Sequence, residues 1–322
     1  MSGGAGVSGT GREGRVRGGE RGRQRDRAGR MRVRRTGHEF VLVVLFALSS
    51  VAFASRSPAE GRPFRIATTT SLERSGLLGA LLPAFANESG RSIRVLGRGT
   101  AEALALGRRG EVDVVLSPAS PEEAALVESG VAFSRKRVLE TRFVIAGPPA
   151  DPAGVARAKS PERAIAQIFR LRAPFVRRAD DSDVRAEERR LFALAGLDPE
   201  LRWEAVVETT AGMRDALERA GRAQAYVVVD LAAFLPERER TGLVALSKPS
   251  PALVQVYSLL RLDADRVGAP LDDEGGFLFE QFLLSPKAQR LIRDFRIAGA
   301  GEAPFRPLAL DESGTGRGGV NP

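Results

Sequence analysis

Cysteine is absent from all 322 residues, and histidine occurs once, at His38. From residue 55 onward the chain therefore has neither. That removes Cys/His zinc sites, Ser-His-Asp and Cys-His nucleophiles, iron–sulfur ligation and thiol redox chemistry. Disulfides and a lipid-bearing N-terminal Cys go with them, so the compartment has to be read from a targeting segment. Aromatic residues make up only 6%, and lysine is rare beside arginine. With Gly 35, Pro 19, 43% hydrophobic and 28% charged residues, the composition is globular, and collagenous, coiled-coil and wholly disordered readings fail.

The formal charge of +9 suggests nucleic acid until it is located. Eleven Arg against four acids (Glu13, Glu20, Asp26, Glu39) fall in residues 1–54, which leaves the rest nearly neutral. No nucleic-acid partner is expected. The longest apolar run, Phe40 to Ala54, follows Arg32, Arg34 and Arg35 and ends in Ala52-Phe53-Ala54. Residues 31–54 thus read as a secretory signal peptide cut after Ala54, and Met31 is a better start than Met1. An uncleaved N-terminal anchor is the alternative, since the run lies near the lower length limit of a span. Residues 1–30, rich in Gly and Arg, read as a basic extension unable to fold, either untranslated or a real arm.

After Pro63, short β-branched runs alternate with helical periodicity, the pattern of an α/β protein with a largely parallel sheet. Strands are expected at Phe64–Thr68, Ser92–Leu96, Val112–Leu116, Arg142–Ala146, Phe175–Val176, Val206–Val207, Tyr226–Val229 and Leu253–Leu262. Helices are expected from Leu77, with Pro83 kinking or shortening it, and at Ala101–Arg108, Val184–Ala195, Met213–Ala220 and Phe277–Leu284, with another opened by Ser285-Pro286. Residues 62–141 with 253–308 are expected as one lobe, 142–252 as a second, and 309–322 as a disordered tail.

Four loops repeat one design, in which a strand ends, hydroxyls or glycines follow, and a helix begins: Thr68–Ser71, Gly97–Thr100, Ala179–Ser182 and Thr209–Gly212. Helix N-termini carry unpaired N–H groups and partial positive charge, and Ser or Thr hydroxyls can turn to donate. In open α/β sheets such loops lie where ligands collect, beyond the carboxyl ends of strands. They make an anion site, with Thr210 and Gly212 among its candidates. Read singly, each is an ordinary helix cap.

A further pattern lies in Ala67-Thr68-Thr69-Thr70-Ser71 with Ser75-Gly76-Leu77-Leu78, Gly99-Thr100 with Ala103-Leu104, Asp113-Val114-Val115-Leu116, and Phe143 to Pro148 with Asp151-Pro152-Ala153-Gly154. Ala173 to Val176 with Arg178 and Asp180-Asp181-Ser182 continue it, followed by Gly212-Met213, Tyr257-Ser258 and Phe282 with Ser285-Pro286. In this order the chain resembles the tungstate-binding periplasmic proteins of ABC transporters over residues 64–306. The resemblance implies a type 2 periplasmic-binding-protein fold: two α/β lobes, joined by two crossing segments, closing over an oxyanion in the cleft. It implies no catalysis, no metal and no cofactor, a monomer in the periplasm, and an ABC permease as partner. By position it points to Thr69, Thr70, Ser71, Thr100, Arg178 and Ser182 as ligand-binding, with Arg135 a further candidate against its reading as a solvated charge in Arg135-Lys136-Arg137.

Departures from the family pattern stand beside the matches. Gly-Asp-Asp-Ser-Gly-Thr is here Ala179-Asp180-Asp181-Ser182-Asp183-Val184, Gly-Thr-Gly-Gln is Gly99-Thr100-Ala101-Glu102, and Asp-Arg-Gly-Thr is Asp230-Leu231-Ala232-Ala233. If Asp183 or Glu102 faces the cleft, a protonated oxyanion or a ligand with an amine or hydroxyl gains over tungstate; if both only decorate helix N-termini, tungstate-like oxyanions stay first, with molybdate, sulfate and phosphate open. The altered loops also leave room for a binding-protein fold reused as an extracytoplasmic sensor or accessory subunit. A hydrolase using Asp180 and Asp181 is disfavoured because adjacent side chains point apart.

Overall fold

In this computed structural model residues 61–309 are described; the basic extension, the signal segment and the tail after 309 lie outside them. Strand β1 (Phe64–Thr69) pairs in parallel with β2 (Ile93–Arg98) on one side and β3 (Val114–Pro118) on the other. All of β3 is buried, as its apolar run requires of a strand covered on both faces. Strand β4 (Ala132–Gly147) is longer than its sequence suggests, because the extended segment expected from Arg142 already begins at Ala132. Charged residues on the exposed face of its first half, Arg135 to Arg137, mask the strand periodicity there.

Continuing along the chain, β5 (Phe175–Arg178) pairs in parallel with β6 (Val206–Thr209) and with β7 (Tyr226–Asp230). The short β8 (Val244–Ala245) and β9 (Val254–Leu262) complete the return. Parallel pairing is thus internal to each lobe. The linking strands are antiparallel: β9 to β3 and β4, and β4 to β7 and β8. Along β4, Arg142 is the last residue paired with β9 and Phe143 the first paired with β7, so one strand serves both sheets.

Helix α1 (Thr70–Arg74) follows β1 directly and α2 (Leu77–Ser89) follows it. Of the expected kink or shortening at Pro83 the shortening does not occur, since α2 runs past it to Ser89. Proline costs one backbone hydrogen bond, but the buried Leu77, Leu78, Leu81 and Phe85 hold the helix by tertiary packing. Those residues join Phe64, Phe279 and Phe282 in the first-lobe core, where the Phe85 and Phe279 ring centroids are 4.8 Å apart. Helix α3 (Thr100–Arg108) follows β2, with Gly99 rather than Thr100 at its N-cap.

Two helices without a counterpart in the sequence reading, α4 (Pro121–Glu128) and α5 (Pro161–Arg170), start with Ser-Pro-Glu, the same Ser-Pro opening read correctly at Ser285-Pro286. Helices α6 (Asp183–Leu194), α7 (Met213–Ala223) and α8 (Leu231–Phe234) follow β5, β6 and β7. The second lobe is packed on both sides of its sheet, around Phe175, Phe192 and Trp203 on one and Val144, Val227 and Leu217 on the other. Among the described residues no helix is long and apolar enough to cross a membrane.

Candidate ligand-binding cleft

The parallel strands of both lobes present their carboxyl ends to one cleft of about 970 Å³. Thr69 ends β1, Arg98 ends β2, Arg178 ends β5 and Asp230 ends β7, and all four line it. Thr70, Ser71, Ser182, Thr210 and Gly212 line it as well. Seven of the nine residues singled out in the sequence are thereby gathered: Thr69, Thr70, Ser71, Arg178, Ser182, Thr210 and Gly212.

Capping chemistry explains how the hydroxyls are held. Thr69 Oγ1 accepts from the Leu72 amide at 3.2 Å and caps α1, and it lies 2.9 Å from the Tyr257 hydroxyl and 3.1 Å from Ser71 Oγ. Tyr257 gets there because β9 runs antiparallel beside β3, placing Tyr257 opposite Pro118 at the end of that strand. Its hydroxyl is fully buried, which pushes its ionisation up, and Asp230 and Asp183 push it the same way, so it stays a neutral donor and acceptor. Ser182 Oγ accepts from the Arg185 amide at the start of α6. A capping hydroxyl spends a lone pair on its helix and keeps its O–H free to donate outward. Gly212 precedes α7 at φ 98 and ψ 171, a backbone conformation open only to glycine.

Arg178 supplies the charge. It is 7% exposed, its Nη2 donates to Asp180, and its Nε has no partner among the described residues. Asp180 is thereby held by Arg178, while its neighbour Asp181 is exposed.

Two expected residues lie elsewhere. Arg135 does not line the cleft: on β4 its Nε sits 2.6 Å from Glu123, whose side chain is fully buried, so its charge is spent neutralising a core carboxylate. Thr100 is not among the lining residues either; its hydroxyl donates to Asp183 Oδ1, from the first lobe to the second. Glu102 is directed away, toward Arg109 at 3.2 Å. Asp183 itself is on the cleft wall. Burial pushes its carboxyl up, the Thr100 hydroxyl opposes that, and Glu122 adds to it.

The sequence reading did not name Arg74, Arg98, Arg214, Asp230 or Glu237 as lining residues, and all of them face the cleft. Asp230 accepts from the Ala232 and Ala233 amides at 2.9 and 3.2 Å and caps α8. Full burial pushes its carboxyl up to about 6 against those two hydrogen bonds. The signal that could have found it is the strand-end Asp preceding a helix.

Two α/β lobes, strand carboxyl ends turned to a shared cleft, and capping hydroxyls with one buried guanidinium on its walls define a periplasmic binding protein of type 2. A PBP superfamily domain matches residues 54–266. The tungstate-binding protein TupA of Peptoclostridium acidaminophilum is 31% identical over 83% of this chain and 96% of its own length. The structure of the tungstate-binding protein TupA from Desulfovibrio alaskensis is 30% identical, with TM-score 0.69 over 77% of this chain and 99% of that one. For the tungstate ABC transporter structure from Geobacter sulfurreducens the values are 30%, 0.66, 73% and 99%. The chain belongs to the PBP superfamily and, within it, to the family of tungstate-binding proteins.

Proposed function

We propose that the protein captures a tetrahedral oxyanion outside the cytoplasm and delivers it to an ABC permease, as a binding protein without catalytic activity. The observation that carries this reading is the convergence of Thr70, Ser71, Ser182 and Arg178 from two lobes on one cleft. These groups donate hydrogen bonds or carry positive charge, the requirement for taking an anion out of water. The names of the relatives, tungstate-binding proteins and a tungstate ABC transporter, support the ligand class and the permease.

The proposed ligand set is Thr69, Thr70, Ser71, Arg178, Ser182, Thr210 and Gly212, and no cofactor is required. A five-atom anion fills little of a 970 Å³ cleft, so capture calls for the lobes, residues 62–141 with 253–308 and residues 142–252, to close about β4 and the segment leading into β9. The mature protein is placed in the periplasm through residues 31–54 and acts as a monomer. Isothermal titration with tungstate, molybdate, sulfate and phosphate tests the reading: one site saturated by at least one of them is expected, and no heat from any of the four refutes it.

A further inference from the structure

We propose that Asp183 makes this cleft select a tetrahedral oxyanion that still carries a proton, such as hydrogen phosphate, over fully deprotonated sulfate or tungstate; the inference rests on the oxyanion reading above.

Asp183 opens α6 and lies on the cleft wall beside Ser182. Thr100 on the opposite lobe donates to its Oδ1 and fixes the carboxylate in place. Its Oδ2 accepts no hydrogen bond from the described residues, and none of their Lys or Arg nitrogens comes within 4.0 Å of the carboxylate. Of the other carboxylates on the wall, Asp180 is bound by Arg178 through Oδ2 while its Oδ1 is buried without a partner, Asp230 is bound by the amides that begin α8 and Glu237 by Arg240, and Asp181 is exposed. Among the described residues no three carboxylates gather as ligands for a cation.

A carboxylate can only accept hydrogen bonds. An anion drawn in by Arg178, whose buried Nε lacks a partner, and by the hydroxyls around it therefore meets in Asp183 Oδ2 an acceptor with no donor of its own. Sulfate, molybdate and tungstate bring further acceptors, and the contact is repulsive. Hydrogen phosphate brings an O–H that satisfies Oδ2, and a site built to bond such a hydroxyl discriminates against an analogue lacking it.

The test is the ratio of dissociation constants for phosphate and sulfate, two anions of similar size, measured by isothermal titration near neutral pH, with tungstate as a third ligand. The wild-type protein is expected to prefer phosphate by about 10- to 100-fold, the worth of one charge-assisted hydrogen bond. Asp183→Gly should erase that preference, and Asp183→Asn, isosteric and able to donate through its amide, should tighten sulfate and tungstate. Thermal melting checks that both variants are folded, and Asn serves where Gly is unstable. Wild-type protein binding sulfate or tungstate at least as tightly as phosphate, or variants retaining the wild-type ratio, overturns the role of Asp183 and leaves the oxyanion reading standing. Absence of binding to every oxyanion in wild type and variants overturns both.

Discussion

Removing the Arg178 guanidinium should weaken anion binding more than any hydroxyl deletion. The side chain is 7% exposed, one arm is occupied by Asp180 and Nε is unpartnered, so it is fixed in place and has donors in reserve. Two hydrogen bonds from a charged group to an oxyanion contribute about 3–6 kcal/mol together, and loss of both lowers affinity by about 10²- to 10⁴-fold. Asp180, left without its cation, adds repulsion toward the anion, which places Arg178→Ala at the upper end of that range. Arg178→Lys keeps the charge but not the planar fork and should lose about 10- to 100-fold. Arg178→Ala with Asp180→Ala should recover part of the loss, because the stranded carboxylate goes too. Isothermal titration measures each affinity and thermal melting confirms folding. A folded Arg178→Ala protein binding within about threefold of wild type, a difference well under 1 kcal/mol, refutes the assignment of Arg178 as the anion's counter-charge.

Asp230→Asn keeps the acceptor that caps α8 and removes a carboxyl whose folded value, about 6, exceeds the usual 3.8. Because the folded protein holds this proton longer than the unfolded chain, Asp230 contributes stability at low pH that is lost as pH rises from about 3.8 to 6, about 3 kcal/mol in all. Urea unfolding across that window should show a flatter pH dependence in the variant; an unchanged slope contradicts it. Gly212→Ala meets no atom within 4 Å yet forces alanine to φ 98, and should cost about 1–3 kcal/mol by denaturant unfolding. Tyr257→Phe removes the hydroxyl bonded to Thr69 and should cost about 1–2 kcal/mol in the same assay.

Much of the fold is legible in the sequence because local signals coincide with the final structure. The run at Phe64–Thr69, the caps Ser182 and Ser285, and the heptad-like spacing of Leu77, Leu78, Leu81 and Phe85 each specify an element without help from distant residues. What is not legible depends on partners far away in the chain. Ala132 to Thr141 becomes strand because β9 offers an edge, and nothing local in Arg135-Lys136-Arg137 announces it. The antiparallel sense of β4 and β9 is likewise a property of the assembled sheets.

The same division runs through the cleft. Hydroxyl-rich loops before helices identify Thr70, Ser71, Ser182 and Thr210, since a cap is a local motif. The fate of an arginine or a carboxylate is set by what stands opposite. Arg135 and Arg178 look alike in sequence, but one neutralises Glu123 in the core and the other faces the cleft. Glu102 and Asp183 both sit in first turns, yet Glu102 turns to Arg109 while Thr100 pulls Asp183 onto the wall. Thr69 lines the cleft, but the hydroxyl network tying it to Tyr257 spans 188 positions and leaves no local trace.

The central claim is that loops of both lobes share one anion. Anomalous diffraction at a tungsten absorption edge from crystals grown in excess tungstate tests it most directly, since high concentration fills even a weakened site. The account expects one dominant tungsten peak within hydrogen-bond reach of Ser71 or Thr70 on one lobe and of Arg178 or Ser182 on the other. A dominant peak outside the cleft, or one touching a single lobe, contradicts it.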